Sequence, residues 1–241
     1  HMTQGRANAG FARGYQRRWV DVMAQHTHGV HGALPNQHDD IDAANRSAFE
    51  ENFRIIKKCW TEEMLTHEGK LWRIPAEGTP WTVDATRKWG KGVENGIVRS
   101  VGVVPKPLQK PHPPLFQPFA SSESSIRWCA KEGVTAVLPP MHAKNEMRLC
   151  NLYAKESGRK LGNGVAFLRD ILIADTDEEA DHLWRNSSRF MAENWFEPFG
   201  FRRGMVDPDT GEYPSAQEMI DLGYALVGSV DQPGGLSFTP Q

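Results

Sequence analysis

Leu115–Pro140, LFQPFASSESSIRWCAKEGVTAVLPP, decides the class of fold. Leu115–Ala120 is an apolar run of strand length, and Ser121, Ser122, Ser124 and Ser125 follow it directly. Ile126, Cys129 and Ala130 then recur at helical spacing, so a helix is expected from about Ser122 to Glu132, with Gly133 as its stop. Thr135–Leu138 is a second apolar run, closed by Pro139-Pro140. Strand, helix and strand at this spacing make a βαβ unit, and such units imply a parallel sheet covered by helices. The alternation continues downstream. A helix is expected from Ala143 to Ser157, ended by Gly158, then a third strand over Val165–Ala174. Thr176 with Glu179 forms a capping box that opens a helix reaching about Glu193.

Upstream of this stretch, Asn8–Ala12 reads as a short buried strand ended by Arg13-Gly14-Tyr15. Residues 24–44 are rich in His, Asp, Asn and Gly without a period and read as a loop. Ser47 with Glu50 opens the first strong helix, whose Phe49, Phe53, Ile56, Trp60 and Met64 share one face. Residues 66–113 form a second insert-rich loop, where Pro105, Pro107, Pro111, Pro113 and Pro114 forbid a long helix. Ser215–Leu222 reads as a short helix with Glu218 completing its capping box, and residues 231–241 form an irregular tail. The whole is read as a single domain, residues 1–241.

At 241 residues the chain can bury a sizeable core, and its 39% hydrophobic and 24% charged content is that of an ordinary globular protein. The net charge of −2, without a run of Lys and Arg, excludes a nucleic-acid-binding surface. No apolar run approaches the length of a membrane span. Cys59, Cys129 and Cys150 are widely spaced within helical patterns, so they are expected as buried thiols in a reducing, cytoplasmic compartment.

The serine-rich strand-to-helix junction is the clearest chemical feature. A helix N-terminus presents unpaired N–H groups and the positive end of a dipole, which attract phosphate. Serine hydroxyls at 121, 122, 124 and 125 add donors there. On local physics alone one serine suffices as a cap, so cap and phosphate site both stand. Arg13, at the end of a strand, can pair with phosphate or lie at the surface. His26, His28, His31 and His38, followed by Asp39-Asp40, offer zinc or iron ligands, but their spacing fits no helical ligand pair. Trp60, Trp128 and Trp184 sit on helical faces and are expected in the core. Neither a nucleotide-binding glycine pattern nor a nucleophile elbow is present.

Taken together, several segments resemble one family, the luciferase-like flavin-dependent monooxygenases. They are Asn8–Ala12 with Arg13-Gly14-Tyr15, Phe53–Glu63 with His67-Glu68-Gly69-Lys70-Leu71-Trp72, and the run Pro105–Pro114. Ser121–Ala130, Ala174–Ala180 and Leu226–Ser229 complete the resemblance, which spans roughly residues 5–230. It implies an α/β fold, a partial (β/α)8 TIM-type barrel comprising roughly strands four to seven with covering helices around a parallel sheet. It also implies reduced FMN, or a deazaflavin in some branches, at the C-terminal ends of the strands. By the resemblance Arg13, Ser122 and Ser125 contact the flavin phosphate, with Ser121 and Ser124 beside them and Tyr15 near the cofactor. The implied reaction is capture of dioxygen by reduced flavin and insertion of oxygen into a small organic substrate, with a flavin reductase as partner.

Two departures from the family shape the remaining expectations. The matched part starts at the family's fourth strand and stops before its eighth, so the chain reads as a truncated barrel. An open half barrel exposes edge strands, and a homo-oligomer is expected to cover them. The competing readings are a truncated flavin-binding protein without turnover, and a metal-dependent hydrolase using the His26–Asp40 cluster.

Overall fold

Residues 2–24, 29–34 and 37–229 are described by the computed structural model, and the chain divides after Leu115 into two units. In the first unit, β1 (Ala9–Gly10) is held by the Ala9 N–H donating to the Pro114 carbonyl at 2.9 Å. Gly14 then takes a φ of 78°, a left-handed conformation that glycine adopts without strain, and α1 (Arg17–Met23) follows. The first long helix, α2, spans Asp40–Thr61 and so starts before Ser47. Its N-cap is Asp39, whose carboxylate accepts the N–H groups of Ile41 and Asp42. Aspartate caps as well as serine does, and nothing helix-breaking separates Asp40 from Ser47. The loop expected over residues 24–44 therefore ends sooner.

Phe53 is buried as its spacing predicts, edge-on to Phe11 with centroids 5.1 Å apart, while Trp60 and Met64 of the same face are half-buried. Helical spacing did not anticipate the burial of Glu51. The hairpin β2 (His67–Glu68) and β3 (Arg73–Ile74) wraps that carboxylate with the N–H groups of Lys70, Leu71 and Trp72 at 3.1, 3.0 and 2.8 Å, and His67 Nε2 lies at 3.1 Å. A Cβ on Gly69 would come within 2.1 Å of Glu51 Oε1, so the close approach requires glycine there. Burial raises the Glu51 pKa, but the bonds from His67, Trp72 and Leu71 outweigh it and hold the carboxyl below its ordinary value. Residues 67–98 thus hold two hairpins within the stretch expected as one loop, while residues 99–113 hold no named helix or strand. After α3 (Asp84–Trp89), β4 (Val93–Glu94) pairs antiparallel with β5 (Ile97–Val98).

The second unit builds the parallel sheet read from the serine-rich stretch. β6 (Leu115–Gln117), which begins at the division, pairs parallel with β7 (Thr135–Leu138), and α4 (Glu123–Glu132) crosses between them. Gly133 ends α4 in the left-handed conformation, and Gly158 does the same for α5 (Ala143–Ser157). Ile126, Cys129, Val134, Leu138, Leu149 and Tyr153 are fully buried between these layers. The Cys129 thiol donates to Gln117 Oε1 at 2.9 Å, and burial pushes its pKa up to about 12. Cys150 is also buried, whereas Cys59 is only half-buried.

The strand expected over Val165–Ala174 is two strands. β8 (Val165–Phe167) pairs parallel with β7, whereas β9 (Asp170–Ala174) pairs parallel with β10 (Ala225–Ser229). The break falls at Leu168-Arg169, where the Leu168 N–H returns to the Leu138 carbonyl at 2.9 Å and Arg169 reaches Glu146 at 2.8 Å. Thr176 caps α6 (Asp177–Asn186) as expected. The helix does not continue to Glu193. The Ser187 hydroxyl donates to the Leu183 carbonyl at 2.6 Å, a back-bond that bends helices. α7 (Ser188–Met191), a π-helix (Ala192–Phe196) and two 3₁₀ turns (Glu197–Phe199 and Phe201–Met205) follow. α8 (Ala216–Asp221) carries the expected Ser215–Glu218 capping box. Trp184, Met205, Met219, Tyr224 and Ala225 form a core beside β9 and β10. No helix among the described residues is long and apolar enough to cross a membrane.

Candidate functional site

β6 aims the chain at the serine cluster, and α4 begins within it. Ser122 is the N-cap, its Oγ accepting the Ser125 N–H at 3.2 Å. The same hydroxyl contacts Ser125 Oγ at 3.0 Å and Ser124 Oγ at 3.1 Å, so three of the four serines form one knot of hydroxyls. Ser125 is buried, Ser122 half-buried, and Ser121 and Ser124 are exposed. Ser121 donates its N–H to the Phe119 carbonyl at 3.0 Å, which turns the chain into the helix. The first-turn N–H groups of Glu123 and Ser124 are among those a helix leaves without an internal acceptor. Glu123 adds a negative charge there, but Arg148 pairs with it directly and Arg127 stands 3.6 Å away. The ten-residue helix therefore presents hydroxyls, N–H groups and a balanced charge at its positive end.

The other predicted site residues lie in the first unit. Arg13 donates to Asp42 Oδ1 at 2.6 Å, so its charge is offset by a carboxylate of α2. Arg46, one turn along α2, shares this environment. Burial, then the Arg13 charge, presses its pKa below the ordinary arginine value. Asp42 and Glu50 act on Arg46 in the opposite sense, so two guanidinium groups stand against two carboxylates, and Arg46 was missed because its helical position alone gives no hint of Arg13 nearby. The Tyr15 hydroxyl accepts from Gln16 Nε2 at 3.1 Å, and its ring meets Trp19 edge-on. Of the histidine cluster, His26 and His28 lie outside the described residues. His31 Nδ1 stands 3.2 Å from Asp21 Oδ2, and His38 is exposed. Among the described residues no group of three or more His, Cys, Asp or Glu side chains is placed to hold a metal ion.

A further feature sits where the parallel strands end. A cavity of about 40 Å³ is lined by Phe119, which follows β6, Pro139 and Pro140, which follow β7, and Leu168, which follows β8. Met191, Ala192, Phe196, Phe201 and Met205 close it from the irregular helical segment, and Asp170 and Arg202 supply polar groups. Phe119 has a φ of 54°, rare for a residue with a Cβ, and its ring packs on Phe196 and Phe201 with centroids 6.1 and 5.2 Å away. Burial pushes the Asp170 carboxyl above the usual carboxylate range. Arg202 is buried; its Nη1 meets Glu197 at 2.5 Å, while its Nε has no partner. Sequence reading missed these residues because the turn after Ser187 that brings them together carries no periodic signal.

No protein-family model matches the chain, and no curated protein matches it in sequence. Solved structures do match. The chain is similar to the monooxygenase RslO1 from Streptomyces bottropensis, with a TM-score of 0.56 and 18% identity over 95% of this chain and 55% of that one. It is also similar to a type II Baeyer–Villiger monooxygenase, the oxygenating constituent of 3,6-diketocamphane monooxygenase from Pseudomonas putida, in complex with FMN. There the TM-score is 0.60 and the identity 20%, over 94% of this chain and 58% of that one. The chain thus spans little more than half the length of either. At such identities the likeness shows the fold alone, one shared with these two monooxygenases, and it bears out the expected α/β run of a (β/α)8-type barrel.

Proposed function

We propose that this chain binds the phosphate of FMN at the N-terminus of α4 and serves a flavin-dependent monooxygenase reaction. The observation that carries the reading is the Ser122–Ser124–Ser125 hydroxyl knot directly after a parallel strand. That place, the C-terminal end of a barrel-type strand, is where such folds put their ligands. An FMN-bound structure of the same fold favours FMN over a deazaflavin.

The residues present fit the group. Ser124 Oγ, Ser125 Oγ and the first-turn N–H groups would hold a phosphate oxygen, and the helix dipole would favour its charge. Ser122 holds Ser125 in place from the cap. Reduced FMN, regenerated by a separate reductase, supplies the reaction with dioxygen that puts oxygen into a small organic substrate. The protein's own part is to fix the phosphate end and to keep water from the strand ends, where Phe119, Phe196 and Phe201 make an apolar wall. A homo-oligomer in a cytoplasmic setting belongs to the same proposal, and light scattering measures the former.

The test is a fluorescence titration with FMN and with riboflavin, which lacks the phosphate. Saturable binding of FMN at a clearly lower concentration than riboflavin supports the site. Equal affinity for the two, or binding of neither in oxidised or reduced form, overturns it.

A further inference from the structure

We infer that the cavity at the ends of β6, β7 and β8 is a subsite for a small apolar group that carries a hydrogen-bond acceptor, the part of a substrate nearest the reaction. The inference rests on the reading of these strand ends as the place of reaction.

Five observations converge on one spot. The lining is apolar over most of its surface, with Phe119, Pro139, Leu168, Met191 and Phe201 prominent in it. Phe119 is held at a positive φ, and such outliers persist only where the surrounding structure enforces them, often at ligand sites. Ala192 and Phe196 reach the cavity from a π-helix, a distortion that costs hydrogen-bond geometry and recurs at functional sites. The Arg202 Nε is a buried donor without a partner, which costs free energy until an acceptor arrives. Asp170 lines the same cavity as a polar group, and burial raises its carboxyl pKa. Apolar walls with one unpartnered buried donor, Arg202 Nε, suit a ligand that is hydrophobic except for one oxygen or comparable acceptor.

Size narrows the class. A cavity of about 40 Å³ exceeds the room one water needs, but it is well below the roughly 150 Å³ that admits benzene. It therefore takes a few heavy atoms, either a very small molecule or the end of a longer one. Phe196 and Phe201 pack against Phe119 in the cavity wall, edge-on and tilted with centroids 6.1 and 5.2 Å away.

Acetone and isobutene test this directly, because they share a shape and differ in a carbonyl against a methylene. Each is titrated into flavin-free protein carrying ¹³C-labelled methionine methyl groups. The expected result is a saturable shift of the Met191 and Met205 methyl signals with both probes. Leu168→Trp, which puts bulk into the cavity from its exposed side, should abolish both responses. Arg202→Leu should weaken acetone on the order of tenfold relative to isobutene, the ratio one charge-assisted hydrogen bond supports. Should that variant fail to fold, as judged by circular dichroism, Arg202→Lys, which keeps a cation for Glu197 but has no Nε, gives the same comparison. Absence of any shift in the unaltered protein, an unchanged response in Leu168→Trp, or equal weakening of both probes overturns the inference. Because no flavin is present, failure here leaves the FMN titration standing, and failure of that titration leaves the probe result standing.

Discussion

Replacing Ser122 by Asp separates the two roles that one hydroxyl now combines. As the N-cap of α4, Ser122 accepts the Ser125 N–H at 3.2 Å, and aspartate accepts the same bond equally well. The stability of Ser122→Asp should therefore match the unaltered protein, whereas Ser122→Ala should lose about 1 kcal/mol, the usual worth of such a cap. Binding should respond in the opposite order. A phosphate oxygen held by Ser124 and Ser125 would sit one hydrogen-bond length beyond the cap, about 4 Å from the new carboxylate. Two like charges at that distance repel by about 4 kcal/mol for an effective dielectric near 20. Solvent at a half-exposed residue removes a large part of this, and what remains weakens FMN at least about tenfold. Ser122→Ala should weaken FMN less, since it removes a positioning hydroxyl without adding charge. Thermal unfolding by circular dichroism and fluorescence titration with FMN read the two effects separately. An aspartate variant that is stable and binds FMN as tightly as serine does would refute a phosphate at this helix end.

Three further outcomes follow from the fold. Glu51→Gln should destabilise the first unit by about 3 kcal/mol, because the buried amide cannot accept from Lys70, Leu71 and Trp72 as the carboxylate does. The Glu51 pKa is depressed in the folded state, so its contribution is present above the unfolded carboxylate range and fades as pH falls through the folded value. The substitution should accordingly flatten the acid side of the stability profile, measured by urea unfolding at several pH values; a parallel profile would count against it. Gly164→Ala should cost more than about 1 kcal/mol, since φ is 89° and a Cβ would meet the Tyr153 ring at 2.5 Å; an unchanged melting temperature would contradict the packing of Tyr153. In native protein at pH 8, maleimide should label Cys59 well before Cys129, whose buried thiol, its pKa pushed up to about 12, stays protonated at that pH, and peptide mass spectrometry ranks the two.

Much of the second unit was legible from local rules. Gly133 and Gly158 stop their helices because only glycine enters the left-handed cap without strain, and Thr176 and Ser215 start theirs by bonding the third N–H onward. Such signals act over a single turn, so a sequence displays them whole. The first unit was read less well. Asp39 and Ser47 are both competent caps, and the choice of the earlier one extends α2 across residues read as loop.

By itself, then, the sequence determined the strand–helix alternation, the serine cap and the glycine stops, because each depends on neighbours along the chain. Tertiary structure alone decided where partners far apart in sequence meet. It folded a hairpin onto Glu51, set Asp42 against Arg13, and split one apolar run into β8 and β9 with different strand partners. It also brought Asp170 and Arg202 to one apolar cavity. The physical reason is common to all four. A buried charge or an unpaired strand edge is stabilised by whatever group arrives across space, and periodicity along the chain carries no record of that arrival.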